Sequence, residues 1–208
     1  MKFAAVKEMA RVYDKNPVIK GKWNSVHFQN ANPIVLELAC GKGDYTLGMA
    51  RLFPDKNFIG ADIKGHRIWS ACRIADLENL QNVAFIRDQI DHLTEYFEPG
   101  EVSEIWITFP DPFLRKSDTR RRLTSKKFLE IYKQFLKKGA LIHLKTDSLP
   151  LYEFTKEVLQ EIPSEILKDY PDVYGMQKNE ELYGIQTYYE RMHLKEQRII
   201  QYLCFRLK

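Results

Sequence analysis

From Pro33 onward, short continuous apolar runs alternate with stretches whose apolar residues recur every three to four positions. Residues 34–39 form the first run. It lies between Pro33 and a glycine turn and reads as a buried parallel strand. Residues 58–62, 83–87, 104–109 and 140–146 repeat the pattern. Helices are expected between these strands, over 44–52, about 64–80 and, briefly, 91–96. Ile68, Ala71, Cys72 and Ala75 share one face of the second helix. Thr124 or Ser125 caps the next helix, whose face carries Phe128, Ile131, Tyr132 and Phe135 and which Gly139 is expected to stop. A helix over 149–161 and a long final strand over 198–207 complete the pattern. Alternation of this kind predicts an α/β fold with a mostly parallel central sheet covered by helices on both faces. Ligands bind such sheets beyond the carboxyl ends of the strands.

Residues 1–32 carry no strong strand pattern. Lys2, Lys7, Arg11, Lys15, Lys20 and Lys22 outnumber Glu8 and Asp14. This segment is expected to be a basic, partly disordered arm with one short helix, ahead of a single domain over 33–208. A length of 208 residues suits one domain with a real core. No run of about 18 uncharged apolar residues signals a membrane span. Cys40, Cys72 and Cys204 lie far apart, which argues for a reducing compartment and against a disulfide framework or zinc site. A cytoplasmic protein without metal is expected. The net charge of +4 leans basic, and its placement matters more than its sum.

The first strand runs into Glu37-Leu38-Ala39-Cys40-Gly41-Lys42-Gly43-Asp44, and Asp62 ends the second. Glycines one residue apart between strand and helix let the backbone turn sharply and approach a ligand. A carboxylate at the second strand end can accept from both ribose hydroxyls. Together these features indicate an adenosine-containing cofactor, either NAD or S-adenosylmethionine. The dinucleotide fingerprint has a third glycine where Thr46 stands, and the first strand carries an internal acid, Glu37. A cofactor without pyrophosphate therefore fits better. Asp88, at the third strand end, is a further candidate near the adenine.

The fourth strand leads into Phe109-Pro110-Asp111-Pro112-Phe113-Leu114-Arg115-Lys116. Two prolines restrict the backbone around Asp111 and hold its carboxylate at the mouth of the site. Ser117, Asp118, Thr119, Arg120, Arg121 and Arg122 follow, and arginines in a loop suit phosphate contacts.

These residues carry a resemblance to the bacterial tRNA (guanine-N7-)-methyltransferases. Their signature is Phe-Pro-Asp-Pro-Trp and then a basic loop ending in Arg-Arg before an apolar residue. Phe109 to Pro112 and Arg120 to Leu123 match it, as do Leu36-Glu37 with its glycine turn, Lys145-Thr146-Asp147, Thr187-Tyr188-Tyr189-Glu190 and Gly21-Lys22-Trp23. The likeness spans residues 20–208. It departs at Ala39 (usually Gly), Cys40 (usually bulky), Phe113 (Trp) and Arg115 (Lys, with Lys116 adjacent).

The resemblance implies a Rossmann-like class I S-adenosylmethionine-dependent methyltransferase fold with an antiparallel C-terminal strand. It implies cofactor contacts at Glu37, Gly41, Gly43, Asp62, Asp88 and Asp111, with Asp111 catalytic. Substrate contacts would fall at Arg115, Asp147, Thr187, Tyr188, Tyr189 and Glu190, and RNA contacts at Ser117 to Arg122. The partner would be tRNA, methylated at N7 of guanosine 46 in the variable loop, and the enzyme would be a monomer or homodimer.

Other residues read as structure. His143 and Trp106 fall in predicted strands and are expected in the core, and Trp69 is expected to pack. Tyr188 and Tyr189 are expected to pack beside the last strand, base stacking being the other use of such rings. Three competing functions are an NAD-dependent oxidoreductase, an amino methyltransferase and an RNA-binding protein without catalysis. The first would lack the loop after Asp111. The second usually carries a further proline after Asp-Pro. The third would show no cofactor-dependent activity.

Overall fold

The computed structural model describes residues 9–178 and 182–208. Among these residues eight strands form one sheet: β1 (Val12–Asp14), β2 (Ile34–Leu38), β3 (Asn57–Ala61), β4 (Val83–Arg87), β5 (Val102–Thr108), β6 (Leu136–Thr146), β7 (Ser164–Tyr170) and β8 (Gln201–Leu207). Their spatial order is β1-β4-β3-β2-β5-β6-β8-β7. The first six run parallel, and β8 lies antiparallel to both β6 and β7. Among the described residues five α-helices accompany the sheet: α1 (Asp44–Leu52), α2 (Gly65–Leu77), α3 (Lys126–Lys133), α4 (Leu149–Gln160) and α5 (Tyr188–Lys195). The strand order reverses between β2 and β5, and this switch point opens the crevice where such sheets bind ligands.

Every residue of β2 and β3 is buried, as expected of strands covered on both faces. Alternation along each strand divides the core in two. Ile34, Leu36 and Leu38 join Ile105, Ile107, Ile142 and Leu144 on one side. Val35, Trp106, Phe58 and Phe85 join Tyr45, Ile68 and Ala71 on the other.

Several expectations need correction. Residues 9–32 are not a separate arm. β1 pairs with β4 at the sheet edge, Val12 against Phe85. A 3₁₀ turn (Pro17–Ile19) and a π-helical turn (Trp23–Phe28) then place Ile19, Trp23 and Phe28 in the core. The expected partial disorder concerned a segment whose first eight residues lie outside the described range.

Gly139 does not stop α3, which ends at Lys133. It lies within β6 at a left-handed φ of 78°, where the β5–β6 register shifts. An extra stretch of β6 bulges there, and a side chain would strain the backbone. The sequence pattern predicts neither β7 nor α5. β7 is an edge strand with Ile166 and Leu167 partly exposed, so it lacks an alternating apolar pattern.

His143 and Trp106 are in the core, as expected. Their rings stack at 4.0 Å, and His143 Nδ1 meets the Tyr202 hydroxyl at 2.7 Å. Burial lowers the His143 pKa. Trp69 is only partly buried against the core, where the Arg73 guanidinium lies over its ring. The three cysteines are free and buried. Among the described residues no helix is long and apolar enough to cross a membrane, and no cluster of His, Cys, Asp and Glu could hold a metal ion.

Candidate active site

The turn after β2 is built around three residues with left-handed backbones: Ala39 (φ 53°), Gly41 (φ 58°) and Gly43 (φ 71°). A side chain at Gly41 would point into open space, its nearest neighbour being an Arg67 nitrogen at 3.9 Å. That face is where a ligand can approach the backbone. At Gly43 a Cβ would lie 3.0 Å from the Ala71 Cβ, so this glycine serves the packing of the turn on α2. Ala39 holds a conformation that glycine adopts more cheaply, which gives a physical meaning to the glycine usual at that position.

Asp62, at the end of β3, accepts hydrogen bonds from Gly41 N–H (2.9 Å) and Lys64 N–H (2.7 Å). Each oxygen takes one N–H and keeps a lone pair. Buried beside an open glycine, it fits the ribose of an adenosine-containing cofactor.

Glu37 behaves differently. One of its oxygens accepts from the Thr46 N–H (2.8 Å) and hydroxyl (2.5 Å), the other from the Thr108 hydroxyl (2.8 Å). It ties β2 to the first turn of α1 and to β5. Burial pushes its pKa up to about 7, against the hydrogen bonds from Thr46 and Thr108. Because the folded pKa exceeds the unfolded one, the native state binds the extra proton between about pH 4.5 and 7. The Glu37 contribution to stability is therefore greatest at low pH and is lost as pH rises through 7. Glu37→Gln is expected to melt higher than the wild type at pH 8 and nearer to it at pH 5, read by calorimetry. Equal melting differences at both pH values would refute this.

Asp88 accepts from the Gln89 N–H (2.7 Å) and the Tyr96 hydroxyl (2.9 Å) and meets His92 Nδ1 at 3.0 Å, which leaves one oxygen with a free acceptor site. Burial opposes its ionisation, but these contacts outweigh it and hold the pKa below the usual carboxylate range.

The loop after β5 presents Asp111 between two left-handed phenylalanines, Phe109 (φ 48°) and Phe113 (φ 42°). The Asp111 carboxylate is exposed and accepts one bond, from the Phe113 N–H at 3.1 Å. Arg122 holds the loop in place. Its guanidinium donates to Pro112 O (2.9 Å) and Phe113 O (3.1 Å) and lies over the Phe154 ring. At 6% exposure Arg122 is a buried loop anchor, which corrects its expected place among the RNA contacts. Ser117 to Arg121 lie in a 3₁₀ helix, Lys116–Arg121. There Lys116, Ser117, Arg120 and Arg121 are exposed and Asp118 and Thr119 half-buried. Arg115 precedes them, also exposed, and the Arg121 guanidinium sits over the Phe113 ring.

Asp147 follows β6 and pairs with Arg198 (2.8 Å) and His193 Nδ1 (3.5 Å). The His193 ring lies 5.8 Å from Phe109 and 6.5 Å from Tyr189. The β5 loop, the β6 end and α5 thus meet around His193. Thr187 caps α5 by accepting from the Glu190 N–H at 3.1 Å. The Tyr188 N–H donates to Asp44 at 2.6 Å, and the Lys42 ammonium lies over the Tyr188 ring. The Tyr189 hydroxyl accepts from Arg67 at 3.2 Å. Tyr188 and Tyr189 are 52% and 40% exposed, so they flank the glycine turn and are not packed beside the last strand as expected. Glu190 points inward, fully buried against Lys145 at 2.6 Å.

Sequence reasoning missed Lys145, His193 and Arg198 as parts of this site. Lys145 left a signal, a lysine in a strand otherwise read as buried, which is rare without a partner. His193 and Arg198 lie far from Asp147 in sequence and left none.

A family model described as "Putative methyltransferase" matches residues 31–202. A Christiangramia forsetii protein named tRNA (guanine-N(7)-)-methyltransferase is 49% identical over 194 residues, covering 91% of this chain and 85% of that protein. A Bacillus subtilis protein of the same name is 40% identical over 155 residues, covering 74% and 72%. The structure of the 16S rRNA methyltransferase KamB is similar with a TM-score of 0.66 at 18% identity, covering 88% of this chain and 91% of its own. A SAM-dependent methyltransferase from Aquifex aeolicus gives 0.58 at 13% identity, over 83% and 81%. The two structures bear on the fold alone, whereas the sequence matches cover most of the chain. The chain belongs to the tRNA (guanine-N7-)-methyltransferase family.

Proposed function

We propose that this protein transfers a methyl group from S-adenosylmethionine to N7 of guanosine 46 in the variable loop of tRNA, forming 7-methylguanosine, in the cytoplasm. The observation that carries the reading is the strained β5 loop. It presents an exposed carboxylate, Asp111, at the switch point beside the glycine turn and runs directly into an exposed cationic segment. The names of the relatives support methylation of a tRNA guanine at N7.

The cofactor, when bound, supplies an electrophilic methyl group. Asp62 would take its ribose, the open face of Gly41 its approach to the backbone, and Asp88 and Asp111 further contacts. Glu37 serves by fixing the turn through Thr46 and Thr108. Guanine N7 has an in-plane lone pair and no proton to lose, so the chain has to align the base more than activate it. Asp111 and Asp147 accept from guanine N1–H and the exocyclic amine and set the base edge-on. Tyr188 and Tyr189, both exposed, are the aromatic side chains available for stacking on the base. Arg115, Lys116, Arg120 and Arg121 face phosphates.

The test is methyl transfer from labelled S-adenosylmethionine to unmodified bulk tRNA, with the product nucleoside identified by mass spectrometry. 7-Methylguanosine at position 46 is expected. A different methylated nucleoside would overturn the reading. The cationic segment adds a second prediction. Lys116→Ala/Arg120→Ala should weaken tRNA binding and lower the slope of log K against log salt by about 2, one for each phosphate no longer neutralised. An unchanged slope would remove this segment from the RNA interface.

A further inference from the structure

Residues 182–190 belong to no strand of the sheet and reach the site through polar pins. The Tyr45 hydroxyl donates to Leu182 O at 3.2 Å, and Asp44 accepts from Tyr188 N–H. Lys145 reaches Ile185 O at 3.4 Å and Glu190 at 2.6 Å. The Tyr174 hydroxyl donates to the same Glu190 oxygen at 2.8 Å and accepts from Gln186 at 3.0 Å.

Lys145 and Glu190 are both buried, at 1% and 0% exposure. Burial lowers the Lys145 pKa, and Glu190 works against that shift. Removing either partner leaves an uncompensated buried charge, whereas removing both charges together can be neutral. The pair therefore joins the end of β6, one residue before Thr146-Asp147, to the helix that carries Tyr188, Tyr189 and His193.

We propose that Lys145 and Glu190 form a buried latch that positions α5 over the site, and that neither side chain touches the guanine or the cofactor. Lys145 is thus a positioning residue for the reaction, and Glu190 is its counter-ion instead of the substrate contact that the family resemblance implies. This rests on the methyltransferase reading above. When the latch is lost, α5 shifts away from Asp147 and the β5 loop, while Gly41 keeps its hydrogen bond to Asp62 and Glu37 still holds the turn through Thr46 and Thr108. Alignment suffers and cofactor binding does not.

The experiment is a cycle on the full chain: Lys145→Met, Glu190→Gln and the double variant. In the double variant the introduced glutamine still accepts from the Tyr174 hydroxyl, and no buried charge is left alone. Each single variant should lower kcat on the order of 10²-fold, as misplacement of a substrate-positioning element does. The cofactor Kd, by calorimetry, should stay within about threefold. Amides of residues 185–195 should exchange faster in the single variants and regain protection in the double. The double variant should recover at least about tenfold of the lost kcat.

A double variant that regains protection but stays as inactive as Glu190→Gln would overturn the proposal, because the Glu190 charge would then act on substrate. So would Lys145→Met with unaltered kcat and exchange. Hydrogen exchange needs no substrate. A wild type inactive on tRNA would therefore count against the proposed function, while unchanged exchange in the single variants would count against the latch.

Discussion

Asp111→Ala is expected to reduce 7-methylguanosine formation on the order of 10²-fold or more while melting close to the wild type. The small effect on stability follows from the surroundings of the side chain. It is exposed, and among the described residues it accepts one hydrogen bond, from Phe113 N–H. The loop conformation is held by other groups. Arg122 binds the carbonyls of Pro112 and Phe113, and Phe109 N–H donates to Lys145 O at 2.8 Å. Two phenylalanines in the left-handed region each cost of order 1–3 kcal/mol, a cost tolerated where the surrounding structure over-determines the backbone. The strain has one visible product, a carboxylate held at the sheet's switch point.

Asp111→Asn separates charge from geometry. Asparagine still accepts from Phe113 N–H, so the loop is kept, but it gives weaker, uncharged hydrogen bonds to the guanine edge. Its kcat should fall less than that of the alanine variant, with the cofactor Kd unchanged. Near-normal turnover in Asp111→Ala would remove Asp111 from the catalytic role and leave Asp147 as the remaining acid that can orient the base.

The parts of this site that were legible in the sequence share a property: their signal is local. The β2 run with its glycine turn, Asp62 at a strand end and Asp111 between prolines each announce themselves within a few residues, because backbone geometry restricts which residues can stand there. The parallel strands were legible for a related reason, since burial on both faces leaves continuous apolar runs such as Val83 to Ile86. Roles set by distant partners were not legible. Arg122 sits in a run of arginines, and only the folded loop shows that it is turned inward onto carbonyls while Arg120 and Arg121 face outward. Asp147 meets His193 and Arg198 only after β8 has paired antiparallel with β6. β7 stayed hidden because its exposed edge selects Lys168 and Asp169 as readily as apolar residues.

The N-terminal region gives the sharpest contrast, and it sets the second large effect. Trp23→Ala is expected to destabilise the protein by about 3–5 kcal/mol, as for other fully buried large aromatic residues. Were residues 9–32 a solvated arm, the same change would cost almost nothing. Trp23 is completely buried, its indole N–H donates to Tyr96 O at 2.9 Å, and its ring stacks on Phe97 at 5.7 Å and meets Tyr13 edge-on at 4.8 Å. Truncation removes the ring packing, opens a cavity and leaves the Tyr96 carbonyl without this donor.

The consequence reaches the site. Tyr96 supports Asp88 through its hydroxyl, so Trp23 braces the end of β4 beside Asp62. The variant should therefore lose cofactor affinity as well as stability, whereas Val18→Ala, in the same region but 67% exposed, should change neither. Denaturant titration of the two variants, with cofactor binding measured under native conditions, decides the matter. If Trp23→Ala unfolds at the wild-type midpoint, these residues are peripheral to the core. A lower midpoint with unchanged affinity would confine Trp23 to stability.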